Sequence, residues 1–143
     1  MTILENQDIE NWISKEVPEQ VLEPDLAIID PHHHLWDLRQ NNSMGFRQEV
    51  YLCEEISRDI KESGHNIVQT VFAQCGAFYR ADGPEEMRCI GETEFVNGVA
   101  AMSRSGLYGQ TRLCTGIFST ADLRLGDKAE GVLEAHLQAS SNF

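Results

Sequence analysis

Basic residues are scarce in this 143-residue chain: 11 Lys plus Arg stand against 23 Asp plus Glu, for a formal net charge of -12. Such a surface repels a phosphate backbone or an anionic leaflet, which argues against nucleic acid or a membrane as partner. No apolar run approaches the roughly 18 residues of a membrane span. The basic residues of a secretory or mitochondrial signal are missing too. Residues 1–30 hold eight acids (Glu5, Asp8, Glu10, Glu16, Glu19, Glu23, Asp25 and Asp30) against the single base Lys15. The expected address is therefore cytoplasmic. There is no C-x-x-C, and Cys53, Cys75, Cys89 and Cys114 stand 22, 14 and 25 positions apart. That spacing suits neither a zinc ribbon nor a disulfide framework and predicts reduced thiols, with Cys75 and Cys114 buried inside apolar runs.

What is present is a globular composition, 41% hydrophobic and 24% charged, with enough apolar side chains for one core. Residues 1–25 read as an acidic N-terminal leader in which Ile9, Trp12 and Ile13 suggest a short amphipathic helix packed on a neighbour. From residue 26 to 143, short apolar runs alternate with stretches of helical period, the pattern of βα units. The runs are Leu26-Ala27-Ile28-Ile29-Asp30, Ile67 to Ala73 and Leu113 to Phe118. Their near-continuous apolarity predicts strands covered on both faces.

Leu52, Ile56 and Ile60, followed by Gly64, predict a helix over about 49–63. Asp82-Gly83-Pro84-Glu85-Glu86 predicts a short helical start. A longer helix is expected from Glu92 with Phe95, Val99 and Met102 on one face, and another from Lys128 with Val132, Leu133, His136 and Leu137. Three units of roughly 39 residues each match the opening of a closed eight-unit barrel, which at that rate needs on the order of 300 residues. The expected fold is thus α/β, a partial (βα)8 TIM barrel comprising about the first three βα units. An open strand layer of that kind would stand alone or pair as a homo-oligomer.

The strongest local signal is Ile28-Ile29-Asp30-Pro31-His32-His33-His34-Leu35-Trp36-Asp37, where an apolar strand runs into three histidines. Side chains alternate along a strand, so His32 and His34 point one way and His33 the other. Two imidazoles can then converge on one cation. A catalytic zinc takes about three protein ligands plus an open position, so more must come from elsewhere. The loop Gln74-Cys75-Gly76-Ala77-Phe78-Tyr79-Arg80 would open on the same strand ends. Arg80 could hold a substrate carboxylate or pair with Asp82, Glu85 or Glu86; Tyr79 and Trp36 could bind substrate or pack; Asp37 and Asp122 suit loop caps. Cys75 lacks a visible base and reads as inert.

The stretch Ile29-Asp30-Pro31-His32-His33-His34-Leu35-Trp36-Asp37 resembles the D-x-H-x-H-x-W opening of the amidohydrolase superfamily, specifically its amidohydrolase-related (amidohydrolase 2) branch of TIM-barrel hydrolases, lactonases and decarboxylases. The order of elements through Asp122-Leu123-Arg124-Leu125-Gly126 is similar as well, over most of residues 26–143. The resemblance implies that His32 and His34 are metal ligands, zinc being the expected ion. It also implies later histidines and a late aspartate that this chain lacks, and hence an N-terminal fragment. Some lactonases of the branch keep the histidines without a metal. The implied activity is hydrolysis of a small carbonyl compound such as a lactone or carboxylated ester. The alternatives are decarboxylation, or an inactive fragment or assembly partner.

Overall fold

In the computed structural model, which describes residues 6–17, 19–43 and 45–143, the chain is a layered α/β domain. Helix α1 (Asn6–Ile13) lies in the leader, as its amphipathic pattern predicts, but Trp12 and Ile13 are exposed and so is Ile9. Strand β1 (Ile28–His33) follows, and the three histidines straddle its end. The short strands β2 (Trp36–Asp37) and β3 (Val50–Tyr51) come next, then helix α2 (Cys53–Glu62) and strand β4 (Ile67–Ala73). Helix α3 (Ile90–Arg104), strand β5 (Arg112–Phe118) and helix α4 (Lys128–Ala139) complete the order. Single 3-10 turns, Glu85–Met87 and Leu123–Leu125, precede α3 and α4.

The local reasons are those of the sequence. Gly64 and Gly106 take the left-handed conformation, φ 71° and 78°, just past α2 and α3, where a side chain would be strained. Leu52 N–H donates to Glu55 Oε2 at 2.9 Å, so an acid of the first turn satisfies the amide at the start of α2. Ile56 buries with Val96, Val99 and Ala100 of α3 against Phe72, Leu113 and Ile117 of the sheet, and Leu35 closes this core from the loop after β1.

The partial barrel expected from the βα rhythm is not what forms. The parallel sheet has three strands in the order β1-β4-β5, and β2 and β3 make a separate antiparallel pair. Two physical causes stand out. First, the chain leaving β1 does not pass directly to a helix: the Trp36 ring stacks between Phe46 and Tyr51, with centroids 5.7 and 5.0 Å away, and its Nε1–H donates to Gln48 O at 2.8 Å. That aromatic layer holds the antiparallel pair together. Second, the outer edge of β5 is already bonded. Ile117 N–H donates to Asn142 O at 2.8 Å and Asn142 Nδ2 donates to Cys114 O at 3.0 Å, on the side where a fourth parallel strand would pair.

Cover on both faces also fails among the described residues, since Ile29 and Phe118 are 56% and 57% exposed. On α4 the buried residues are Ala129, Val132 and His136, whereas Leu133 and Leu137 are exposed, so the stripe is narrower than periodicity suggests. On α3, Met102 is exposed and Phe95 only partly buried, while Glu92, Thr93, Val96, Val99 and Ser103 face inward.

Candidate functional site

The site begins at a bulge. Asp30 pairs with Thr70 but the next paired residue of β1, His33, faces Phe72, so β1 carries one residue more than β4 over this interval. Pro31 falls in that irregular stretch, where the absence of its N–H leaves no ladder bond unmade. The Asp30 carboxylate accepts the His32 N–H at 3.1 Å and fixes the turn of the chain.

Beyond it, His32 Nε2 and His34 Nε2 approach to 3.1 Å, with the rings edge to face at 4.8 Å between centroids. His34 Nδ1 lies 2.7 Å from Ala73 O. A carbonyl only accepts, so Nδ1 carries the proton and the His34 Nε2 lone pair faces His32, whose own Nε2–H donates to it. Two nitrogens bound to one tetrahedral zinc at 2.0–2.1 Å stand about 3.3 Å apart. The pair therefore fits a shared cation with a small movement of the exposed His32 ring. Among the described residues no third His, Cys, Asp or Glu gathers with them in a metal-sized group.

His33 goes the other way, as alternation predicts. Its Nε2 lies 2.8 Å from Thr70 Oγ1, which also accepts the Cys114 N–H at 3.0 Å, and its ring meets Phe72 edge-on. Burial pushes its pKa below the ordinary histidine value, opposed by the Asp30 carboxylate. The His33 Nδ1 is buried and makes no direct hydrogen bond among the described residues, although the His34 backbone also acts on the ring.

The remaining candidates scatter around the carboxyl ends of the strands, where open α/β sheets bind ligands. Tyr79 accepts a 2.8 Å hydrogen bond from Gln74 Nε2 through its hydroxyl. It lines a cavity of about 540 Å³ together with Arg88, Cys89, Thr120, Asp122 and Leu125. A larger hollow of about 940 Å³, lined by Gly64, His65, Ile67, Tyr108 and Thr111, lies at the amino ends of β4 and β5, and neither His32 nor His34 lines it. Arg80 is engaged by Glu94 through Nη2 and, at 3.2 Å, through Nε, so its partner is an acid on α3 and none of the three nearby in sequence. Trp36 belongs to the aromatic layer of β2 and β3. Asp37 and Asp122 each accept the N–H two residues ahead, from Arg39 and Arg124, as loop caps do. Cys75 is exposed, against expectation, because its strand ends at Ala73; burial of the sulfur and the nearby Glu92 still push the thiol up to about 11.

Glu92 is absent from the sequence reading as a site residue. It is 1% exposed, and its Oε1 accepts from Cys75 N–H at 3.1 Å and Ala77 N–H at 2.9 Å. Burial pushes its carboxyl above the usual range, against the hydrogen bonds from the loop. One signal was available: Glu92 shares a helical stripe with Val96, Val99 and Ser103, all buried, so it is a carboxylate on an inward face. His136 was read as an apolar-face residue and is buried with both nitrogens satisfied, Nδ1 by Thr93 Oγ1 at 2.8 Å and Nε2 by Thr120 O at 3.0 Å.

No family model matches the chain, and no solved structure matches it. Among the described residues no helix is long and apolar enough to cross a membrane. The chain is similar to the uncharacterized protein y4mH of Sinorhizobium fredii (strain NBRC 101917 / NGR234), with 32% identity over 128 residues, 80% of this chain and 37% of that protein. The chain thus spans well under half the length of the relative it matches.

Proposed function

We propose that the chain carries part of the active site of a metal-dependent hydrolase, related to the amidohydrolase-related branch, that acts on a small carbonyl compound such as a lactone or a carboxylated ester. The observation that supports this reading is the 3.1 Å approach of His32 Nε2 to His34 Nε2 at the carboxyl ends of the strands. A divalent cation such as Zn2+, when bound there, polarises a carbonyl oxygen and lowers the pKa of water.

The chain's own contributions follow from the geometry. His34 is held in one tautomer by Ala73 O, so its Nε2 lone pair faces His32 and needs no change of tautomer to meet a cation. His32 would hold a cation through Nε2 as its other tautomer, with the proton moved to Nδ1. Tyr79, its hydroxyl oriented by Gln74, offers an O–H to a substrate oxygen from the wall of the 540 Å³ cavity. Trp36 would wall the substrate only from within the aromatic layer it shares with Phe46 and Tyr51. Arg80 binds a substrate carboxylate only by exchanging it for Glu94. The further ligands and the general base that the resemblance implies belong to later strands of the family, which no residue of 26–143 matches. A net charge of -12 favours a small-molecule substrate over nucleic acid, and a cytoplasmic setting completes the proposal.

The test is turnover of a panel of lactones and carboxylated esters, with and without a chelator, by a version of the protein extended past Phe143. His32→Ala or His34→Ala is expected to lower turnover on the order of 100-fold, and His33→Ala far less. Equal losses at all three positions, or indifference to the chelator, contradicts the reading.

A further inference from the structure

Glu92 does more in this molecule than begin a helix. An acid in the first turn of α3 has a ready role in solvent beside the positive helix end, yet this one is turned inward to 1% exposure. Its Oε1 takes the Cys75 and Ala77 amides and lies 3.5 Å from Cys75 Sγ. Its Oε2 is buried and makes no direct hydrogen bond among the described residues, although the Gly76 amide also acts on the carboxyl. An ordinary structural position would be served by an apolar residue; a buried carboxyl retained with one oxygen not directly hydrogen-bonded holds something that an apolar residue cannot.

What it holds is the loop from Gln74 to Arg80. Gln74 N–H donates to Phe118 O at 3.1 Å, Arg80 N–H donates to Arg88 O at 2.9 Å, and the Phe78 ring stacks on Phe95 at 4.0 Å. Phe78 itself sits at φ 56°, a conformation a non-glycine residue keeps only when its surroundings dictate it. This loop starts one residue after Ala73, whose carbonyl fixes the His34 ring, and Cys75 Sγ–H donates to Leu35 O at 3.4 Å, the residue next to His34. A short route therefore runs from the Glu92 carboxylate to the His34 imidazole along the backbone through Cys75 and Ala73, and the Cys75 side chain, fixed by its own gripped amide, meets Leu35 beside His34.

We propose that Glu92 is the positioning residue of the histidine pair: by gripping the Cys75 and Ala77 amides it keeps Ala73 O and Leu35 where they hold His34 as the Nδ1–H tautomer. This rests on the reading of His32 and His34 as the working pair, but its test contains no metal and no substrate. A chain with no hydrolase activity can satisfy it, and an active one can fail it.

The experiment is NMR of the chain with 15N-labelled histidine rings, which reports the tautomer of each histidine. In the native chain His34 is Nδ1–H and His136 is Nε2–H. Glu92→Leu is expected to lose the single His34 tautomer while His136 keeps its own, and Glu92→Gln, which retains a carbonyl acceptor for the two amides, is expected to restore His34. A His34 ring that stays Nδ1–H in Glu92→Leu overturns the proposal, as does a Glu92→Gln chain that does not restore it. Amide exchange in the native chain provides a check that needs no variant: the Cys75 and Ala77 amides should be protected by about 100-fold or more. Exchange as fast as in an unstructured peptide overturns the proposal even where Glu92→Leu does not fold.

Discussion

His33 and His136 are rings buried neutral, and their chemistry makes stability depend on pH in a definite direction. Desolvation by burial holds both below 6.5, opposed in His33 first by Asp30 and in His136 by the Thr120 carbonyl. As pH falls through 6.5 the unfolded chain takes up protons that the native chain does not, so the contribution is full above 6.5 and is lost on acidification. Glu92 works in the opposite sense, since a carboxyl pushed up by burial favours the native state at low pH. Urea unfolding is therefore expected to show a lower midpoint at pH 5.5 than at pH 7.5, a window above the usual carboxylate range. The drop should shrink in a His33→Asn, His136→Gln double variant, which leaves Glu92 in place. A native midpoint that does not fall, or an unchanged drop in the double variant, contradicts this assignment. At this scale the sequence was informative about the histidine triplet, because strand alternation depends only on neighbours along the chain. It was silent about Arg80 and Glu94, fourteen positions apart, which meet only once the loop folds back on α3.

The loop after β4 is the element whose shape the site depends on, and Gly91 permits it. A Cβ on Gly91 would stand 2.6 Å from Phe78 O and 2.8 Å from Arg80 N, both backbone atoms that cannot swing aside. Gly91→Ala is expected to destabilise by about 1–3 kcal/mol, the range for overpacking a filled position, and to raise exchange at the Cys75 and Ala77 amides specifically. Gly98→Ala serves as control, since nothing lies within 4 Å of a Cβ there, and replacing a mid-helix glycine should be neutral or stabilising. Equal stability of the two variants contradicts the close-packing account. The elements themselves were largely legible: Cys53–Glu62 falls inside the expected 49–63, and the later two strands fall where the apolar runs are. The antiparallel pair was not, because two-residue strands carry no periodicity and Trp36 reveals its role only when Phe46 and Tyr51 stack on it.

For the whole molecule, the succession of βα units was readable while closure was not. Repetition specifies what each unit is; whether units continue into a barrel depends on what bonds to the outermost strand. Here Asn142 meets Ile117 and Cys114 on that edge, a contact between residues with no shared pattern. What survives the change of architecture is the position of His32 and His34 at the carboxyl ends of a parallel sheet. The direct measurement is titration of the chain, its histidine rings 15N-labelled, with Zn2+ alone. The account predicts that the His32 and His34 Nε2 resonances shift together at one equivalent while His33 and His136 stay unchanged. Response of only one of the pair, or of His33 along with them, would contradict a shared site between the two Nε2 atoms.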